Sequence, residues 1–203
     1  MKFKGTGFTL VEVLVVVAVL SLVGVLVVAI FTNTLRGSNK SQITLAIKQN
    51  GQAVLENMDK TIRNSNEVIC LGNNSNNTIQ TIVVMDKKGA YIRYTLLTDP
   101  SKNTNGAIYQ DNPVKSDDQA FESFKEEVCR IINVNSLFSP AVLTDTRLQS
   151  GVRVVGGSFK KDPTTEFKEV ITIEFTLEPG VKAPPFLTGQ IDPSTFQTSV
   201  ELR

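Results

Sequence analysis

The sequence predicts an α+β protein: one long N-terminal helix, its first half transmembrane, packed against an antiparallel β-sheet head. Three observations carry that prediction. From Phe8 to Phe31 the chain is apolar apart from Thr9, Glu12, Ser21 and Gly24. From Ile43 to Ile62 apolar residues recur at helical spacing. Beyond residue 77, runs of β-branched and aromatic residues alternate with turn-forming clusters. A helix followed by strands, rather than alternating with them, favours segregated α+β over α/β.

The first element is the apolar run. As a helix, Phe8 to Phe31 is about 36 Å long at 1.5 Å per residue, enough to cross a hydrocarbon core of about 30 Å. Valine dominates the run and would favour a strand in water. The run is longer than an ordinary strand of about 5–6 residues, and an unpaired strand in lipid leaves its backbone groups unsatisfied. Glu12 is the only ionisable side chain in it. A carboxylate near the middle of a bilayer costs roughly 2.5–3.5 kcal/mol, so such a residue is paired, near an interface, or functional. An amine is its natural partner, and a cut after Gly7 would create one at Phe8, one turn away. Lys2 and Lys4 precede the run. Basic residues before a span stay cytoplasmic, so the N-terminus is expected in the cytoplasm and everything after Phe31 outside.

The helix continues past the membrane in amphipathic form. Ile43, Ile47, Val54, Met58 and Ile62 make one stripe, while Ser38, Asn39, Lys40, Gln49, Asn50, Asn57 and Lys60 fall off it. Gly24, Gly37 and Gly51 are read as flexible points. No proline occurs before Pro100, so a continuous helix from about Phe8 to Asn64 is expected, weakest at Arg36–Asn39. The run Asn73 to Asn77 is a turn. Thr78–Met85 and Ala90–Leu97 flank Asp86-Lys87-Lys88-Gly89 and read as a hairpin. Thr98 to Gln119 is a long polar stretch. Phe121, Phe124, Val128 and Ile131 have helical spacing, though Val128–Val134 reads equally as a strand. Val152–Phe159 and Val170–Leu177 are strands, Gly156-Gly157 suggests a bulge or kink in the first, and Phe196–Leu202 is a short final strand.

The start of the chain is not an ordinary secretory signal, because the small residues Gly5, Thr6 and Gly7 come before the apolar stretch and no small-residue cleavage site follows Phe31. A short basic leader, Gly7, Phe8, then Thr9-Leu10-Val11-Glu12, resembles the class III signal of type IV pilins and pseudopilins. That resemblance implies cleavage by a prepilin peptidase between Gly7 and Phe8, N-methylation of Phe8, and a filament-assembly role for Glu12 toward the Phe8 ammonium of a neighbouring subunit. Glu12 satisfied by its own Phe8 amine remains the alternative pairing. The implied organisation is a leader at 1–7, a membrane and filament-core helix at 8–31, an amphipathic helix at 32–64 and an extracytoplasmic head at 65–203. The implied partners are other pilin or pseudopilin subunits, the prepilin peptidase, an inner-membrane assembly platform and, before assembly, membrane lipid.

The remaining composition excludes more than it assigns. There are 21 basic and 20 acidic residues, so bulk charge gives no support to nucleic-acid binding. With no histidine, a Ser-His-Asp triad and Cys-His chemistry are excluded, and two separated cysteines make a poor zinc set. No cofactor and no enzymatic activity are expected. Asp99 to Gly106 faintly resembles a calcium loop, but its glycine is eighth rather than sixth and Gln110 stands twelfth. Cys70 and Cys129 are an even pair in an oxidising compartment, which suggests a disulfide. Two buried thiols are the alternative. Such a bridge would contribute up to about 4 kcal/mol by loop entropy. The role expected is a structural subunit of a type IV pilus or secretion pseudopilus. The size of the head and its irregular loops favour a minor, initiating or tip-proximal subunit. The competing role is a filament-displayed module that binds DNA, a surface or secreted cargo, with Lys87-Lys88 and Lys160-Lys161 as candidate contacts that solvated turns would equally explain.

Overall fold

A computed structural model describes residues 9–74, 76–130, 137–162, 169–185 and 189–202. The chain divides into two units, residues 1–42 and 43–203. Helix α1 (Leu10–Arg63) contributes to both. It runs through residues 36–39 as helix, so the weak point expected there is not a break.

In the first unit every large apolar side chain from Leu10 to Leu35 is exposed, and no part of the apolar window is buried by protein. Its hydroxyls are turned inward along the chain. Ser21 Oγ donates to the Val17 carbonyl at 2.8 Å, Thr32 Oγ1 to Val28 at 2.8 Å and Thr34 Oγ1 to Ile30 at 2.9 Å. Each bond satisfies a polar group locally, which is the condition for placing Ser or Thr in an apolar solvent.

In the second unit the predicted stripe packs as expected. Ile47, Val54, Met58 and Ile62 are buried, and Ile43 is partly buried beside them. Off-stripe Asn57 is exposed, yet its Oδ1 accepts a 2.7 Å bond from the Tyr94 hydroxyl. Burial pushes the Tyr94 phenol up to about 12, with a hydrogen bond to Thr61 acting the other way. The phenol therefore stays neutral over the whole physiological range.

The head is built on two antiparallel sheets, where the sequence suggested one. The first has strand order β1 (Ser65–Asn73), β2 (Ile79–Asp86), β3 (Tyr91–Leu97), β4 (Ala107–Asp111), β5 (Ala141–Val142); the second runs β6 (Val152–Asp162), β7 (Val170–Pro179), β8 (Ser194–Glu201). The period of two along a strand explains how the first sheet is buried on both faces. Ile82, Val84, Tyr94 and Leu96 join the core around α1 and the second sheet. Val83 points the other way and packs with Ile69 against Phe124 and Val128 of α2 (Phe121–Cys129). Helices α1 and α2 thus cover opposite faces of the five-stranded sheet.

The hairpin Ile79–Leu97 forms in register from Ile79↔Leu97 to Met85↔Tyr91. Its turn is closed by Asp86, whose Oδ1 accepts from the Lys88 and Ala90 amides at 2.8 Å each. The bulge suggested by Gly156-Gly157 is a register shift between Val154 and Gly156. Three expectations need correction. Val128 is helical, so a strand beginning there is wrong; residues 131–134 lie outside those described. The polar stretch 98–119 holds a short strand, β4, which exists because β3 offers it a pairing edge. Lys160-Lys161 sit in β6 rather than a turn, and Lys161 pairs with Glu169. The structure also adds β1 at residues 65–73, hidden in the sequence by two register shifts that spoil its alternation.

Gly51 is also not a flexible point. It is buried in the stripe, and a Cβ there would meet the Phe196 ring at 2.1 Å. That ring stacks on Phe175 with centroids 5.4 Å apart. Gly51→Val is therefore expected to destabilise the head by about 1–3 kcal/mol through overpacking, although valine is the better helix former. Urea unfolding of the full chain in detergent checks this. An unchanged midpoint would mean that the ring moves freely.

Candidate functional site

The start of α1 is organised around Thr9 and Glu12. The Glu12 amide donates to Thr9 Oγ1 at 3.3 Å and to the Thr9 carbonyl at 3.1 Å, and the Val13 amide donates to the same carbonyl at 3.2 Å. Thr9 is thus the residue that caps the helix, and Glu12 occupies the third helical position. Thr-x-x-Glu before an apolar run is the pattern of a capping box, a signal written in the sequence itself. A carboxylate in the first turn also lies at the positive end of the helix dipole. Glu12 is exposed to the surroundings of the helix. The expected cleavage position Gly7 and the expected methylation position Phe8 lie outside the described residues.

In the head, Cys70 of β1 and Cys129 at the end of α2 form a disulfide, with Cα atoms 6.1 Å apart. The contact is close enough that a Cβ on Gly72 would stand 1.9 Å from the Cys129 carbonyl oxygen. Sequence reasoning did not single out Arg93 and Asp111, which form a buried ion pair under α2. Arg93 Nε donates to Asp111 Oδ1 at 2.8 Å, Nη2 donates to Oδ2, and Nη1 donates to the Val128 carbonyl at 3.3 Å. Asp111 Oδ2 also accepts the Phe138 amide at 2.9 Å. The pair ties β3, β4, α2 and the 138 segment together. An arginine between Ile92 and Tyr94 in a strand was a visible hint, but its partner 18 residues on was not.

The Asp99 loop is closed by its own donors. Asp99 accepts the Ser101 amide at 2.9 Å and its hydroxyl, and the Thr104 amide at 2.8 Å and hydroxyl at 2.9 Å. The Ser101 and Thr104 hydroxyls lead in holding this carboxyl down at about 2. Lys87 and Lys88 are exposed at the hairpin tip.

Comparison with known proteins adds one finding. Residues 3–30 match the family described as the prokaryotic N-terminal methylation motif, the signature of type IV pilins and pseudopilins. No curated protein and no solved structure matches the chain. The motif covers the junction, Thr9 and Glu12 together, and with the apolar helix it marks a membrane-anchored protein. It implies contact with other such subunits and with a prepilin peptidase, and it points to a structural protein rather than an enzyme.

Proposed function

We propose, from the premise that this chain carries the N-terminal methylation signature of type IV pilins and pseudopilins, that it is a structural subunit, and a minor one, of a pilus-like filament. The prepilin peptidase cuts between Gly7 and Phe8 and methylates the new amine. The mature subunit waits in the cytoplasmic membrane with its head outside. An assembly platform then moves it into the filament, where the apolar helix joins others and the head forms surface. The observation that carries this reading is Glu12, the one ionisable side chain in the apolar run, five residues past a glycine and inside the matched motif.

Three features support it. The helix from Leu10 to Leu35 presents apolar side chains on all sides, which suits lipid first and a bundle of like helices afterwards. Its hydroxyls are satisfied within the helix. The Cys70–Cys129 pairing suits a head that folds in an oxidising compartment. An extensive head with irregular connections favours a minor or tip-proximal position over the repeating one.

The test is co-expression of the full chain with a prepilin peptidase, followed by intact mass measurement. The expected product lacks residues 1–7 and carries one extra methyl on Phe8. A product that still begins at Met1 would reduce the chain to a plain single-pass anchor.

A further inference from the structure

We propose that the head carries a docking groove for an extended, basic segment of a partner protein, on the sheet face covered by α2. This goes beyond the filament role and does not depend on it. A cavity of about 540 Å³ opens there, lined in part by Pro113, Val114, Phe124 and Phe138 and by the acidic residues Asp118 and Glu127. A volume in this range accommodates one or two bulky side chains. Beyond Leu45, the large apolar side chains exposed among the described residues are Val114, Phe121, Phe138 and Val142. Of these, Val114 and Phe138 line the same cavity; apolar side chains exposed together at a concavity mark an interaction surface, whereas scattered single residues do not.

The backbone that carries Phe138 into the lining is held in place. Phe138 is 63% exposed, yet its amide is fixed to Asp111, which the buried Arg93 locks. A preorganised apolar anchor loses little freedom when a partner arrives.

Charge selects the partner. Arg93 is the cationic residue among the cavity walls, and it is committed to Asp111 and the Val128 carbonyl. The carboxylates of Asp118 and Glu127 belong to exposed residues, and Glu127 accepts from a neutral donor, Gln119 Nε2, at 2.8 Å. The mouth is therefore net negative, which attracts a lysine or arginine and repels a polyanion. Strand β5 supplies the extended geometry. It is the last strand of its sheet, its two residues are exposed, and its outer edge has no strand partner among the described residues. Phe138 lies three residues before it. A peptide added along that edge gains main-chain hydrogen bonds and presents alternate side chains to one face of the sheet, while Phe138 links the edge to the cavity lining.

The experiment uses the full chain in detergent micelles and two fluorescein-labelled nonapeptides, one alternating valine with lysine, the other valine with glutamate, read by anisotropy. The lysine peptide is expected to bind at least tenfold more tightly than the glutamate peptide. Asp118→Lys with Glu127→Lys should abolish that preference, and Phe138→Asp should weaken the lysine peptide at least tenfold. All three positions are exposed, so folding is preserved. Lys160→Glu, on β6, should change nothing. Equal affinity for the two peptides, no binding of either, or indifference to these substitutions would overturn the proposal. Self-association of the chain that displaces the peptide would do so too, by assigning the groove to a second copy.

Discussion

Glu12→Val is expected to leave the subunit in the membrane and remove it from filaments. The physical argument starts in the lipid. Glu12 lies in the first turn of the apolar helix, so its carboxylate carries only part of the roughly 2.5–3.5 kcal/mol that a charge costs at the bilayer centre, and valine removes that cost. The variant is thus a better membrane anchor than the natural chain and has lost the reason to leave. In the filament proposed above, the same carboxylate would meet the Phe8 ammonium of a neighbouring subunit, in a medium where charge pairs interact far more strongly than in water. Valine there leaves the ammonium unpaired, and breaking a buried pair by removing one partner is the costly case. Shearing cells and comparing the filament and membrane fractions with an antibody to the head measures the outcome. Wild-type amounts of the variant in the sheared fraction would refute the assembly role of Glu12. Cleavage at Gly7 is read separately by mass, so a processing defect and an assembly defect are told apart.

The second large effect is expected at Asp111. Its side chain is fully buried and that of Arg93 is 3% exposed. Asp111→Ala leaves the guanidinium buried without its anion and takes the acceptor from the Phe138 amide. Loss of one partner of a buried pair costs about 3–5 kcal/mol. At about 2–4 °C per kcal/mol for a domain of this size, the Tm falls by roughly 6–20 °C. Replacing Arg93 and Asp111 together by leucine should be far milder, because both desolvated charges disappear at once. Thermal unfolding of the full chain in detergent, followed by circular dichroism, gives both numbers. A loss below 1 kcal/mol for Asp111→Ala would mean that water or another group already shares the charge.

The same two sites show what kind of information is local. Gly7, Phe8, Thr9 and Glu12 fall within six consecutive residues, so their relation is set by chain spacing and can be read directly. The stripe Ile47, Val54, Met58, Ile62 was legible for the same reason: a period of 3.6 is a property of one segment. The hairpin Ile79–Leu97 was legible because its turn chemistry lies between its strands. Arg93 and Asp111 belong to different strands, and their meeting follows from the β3–β4 register. Strand β4 was missed because five residues with a polar end carry too little pattern; the neighbouring edge makes them a strand. Gly51 was misread because a glycine in a helix looks like flexibility until the residue opposite it, Phe196, is known.

By itself, the sequence determined the membrane-spanning helix, the processing motif, the position of Glu12, the amphipathic continuation and the β-rich character of the head. These rest on periodicity, hydrophobic length and residue spacing, all written along one stretch of chain. Only the tertiary structure decided that the strands divide into two sheets, that α2 covers the face opposite α1, and that a cavity lined by Phe124, Phe138, Asp118 and Glu127 opens against α2. Those outcomes depend on which distant residues come to share a surface, and sequence separation places no direct constraint on that.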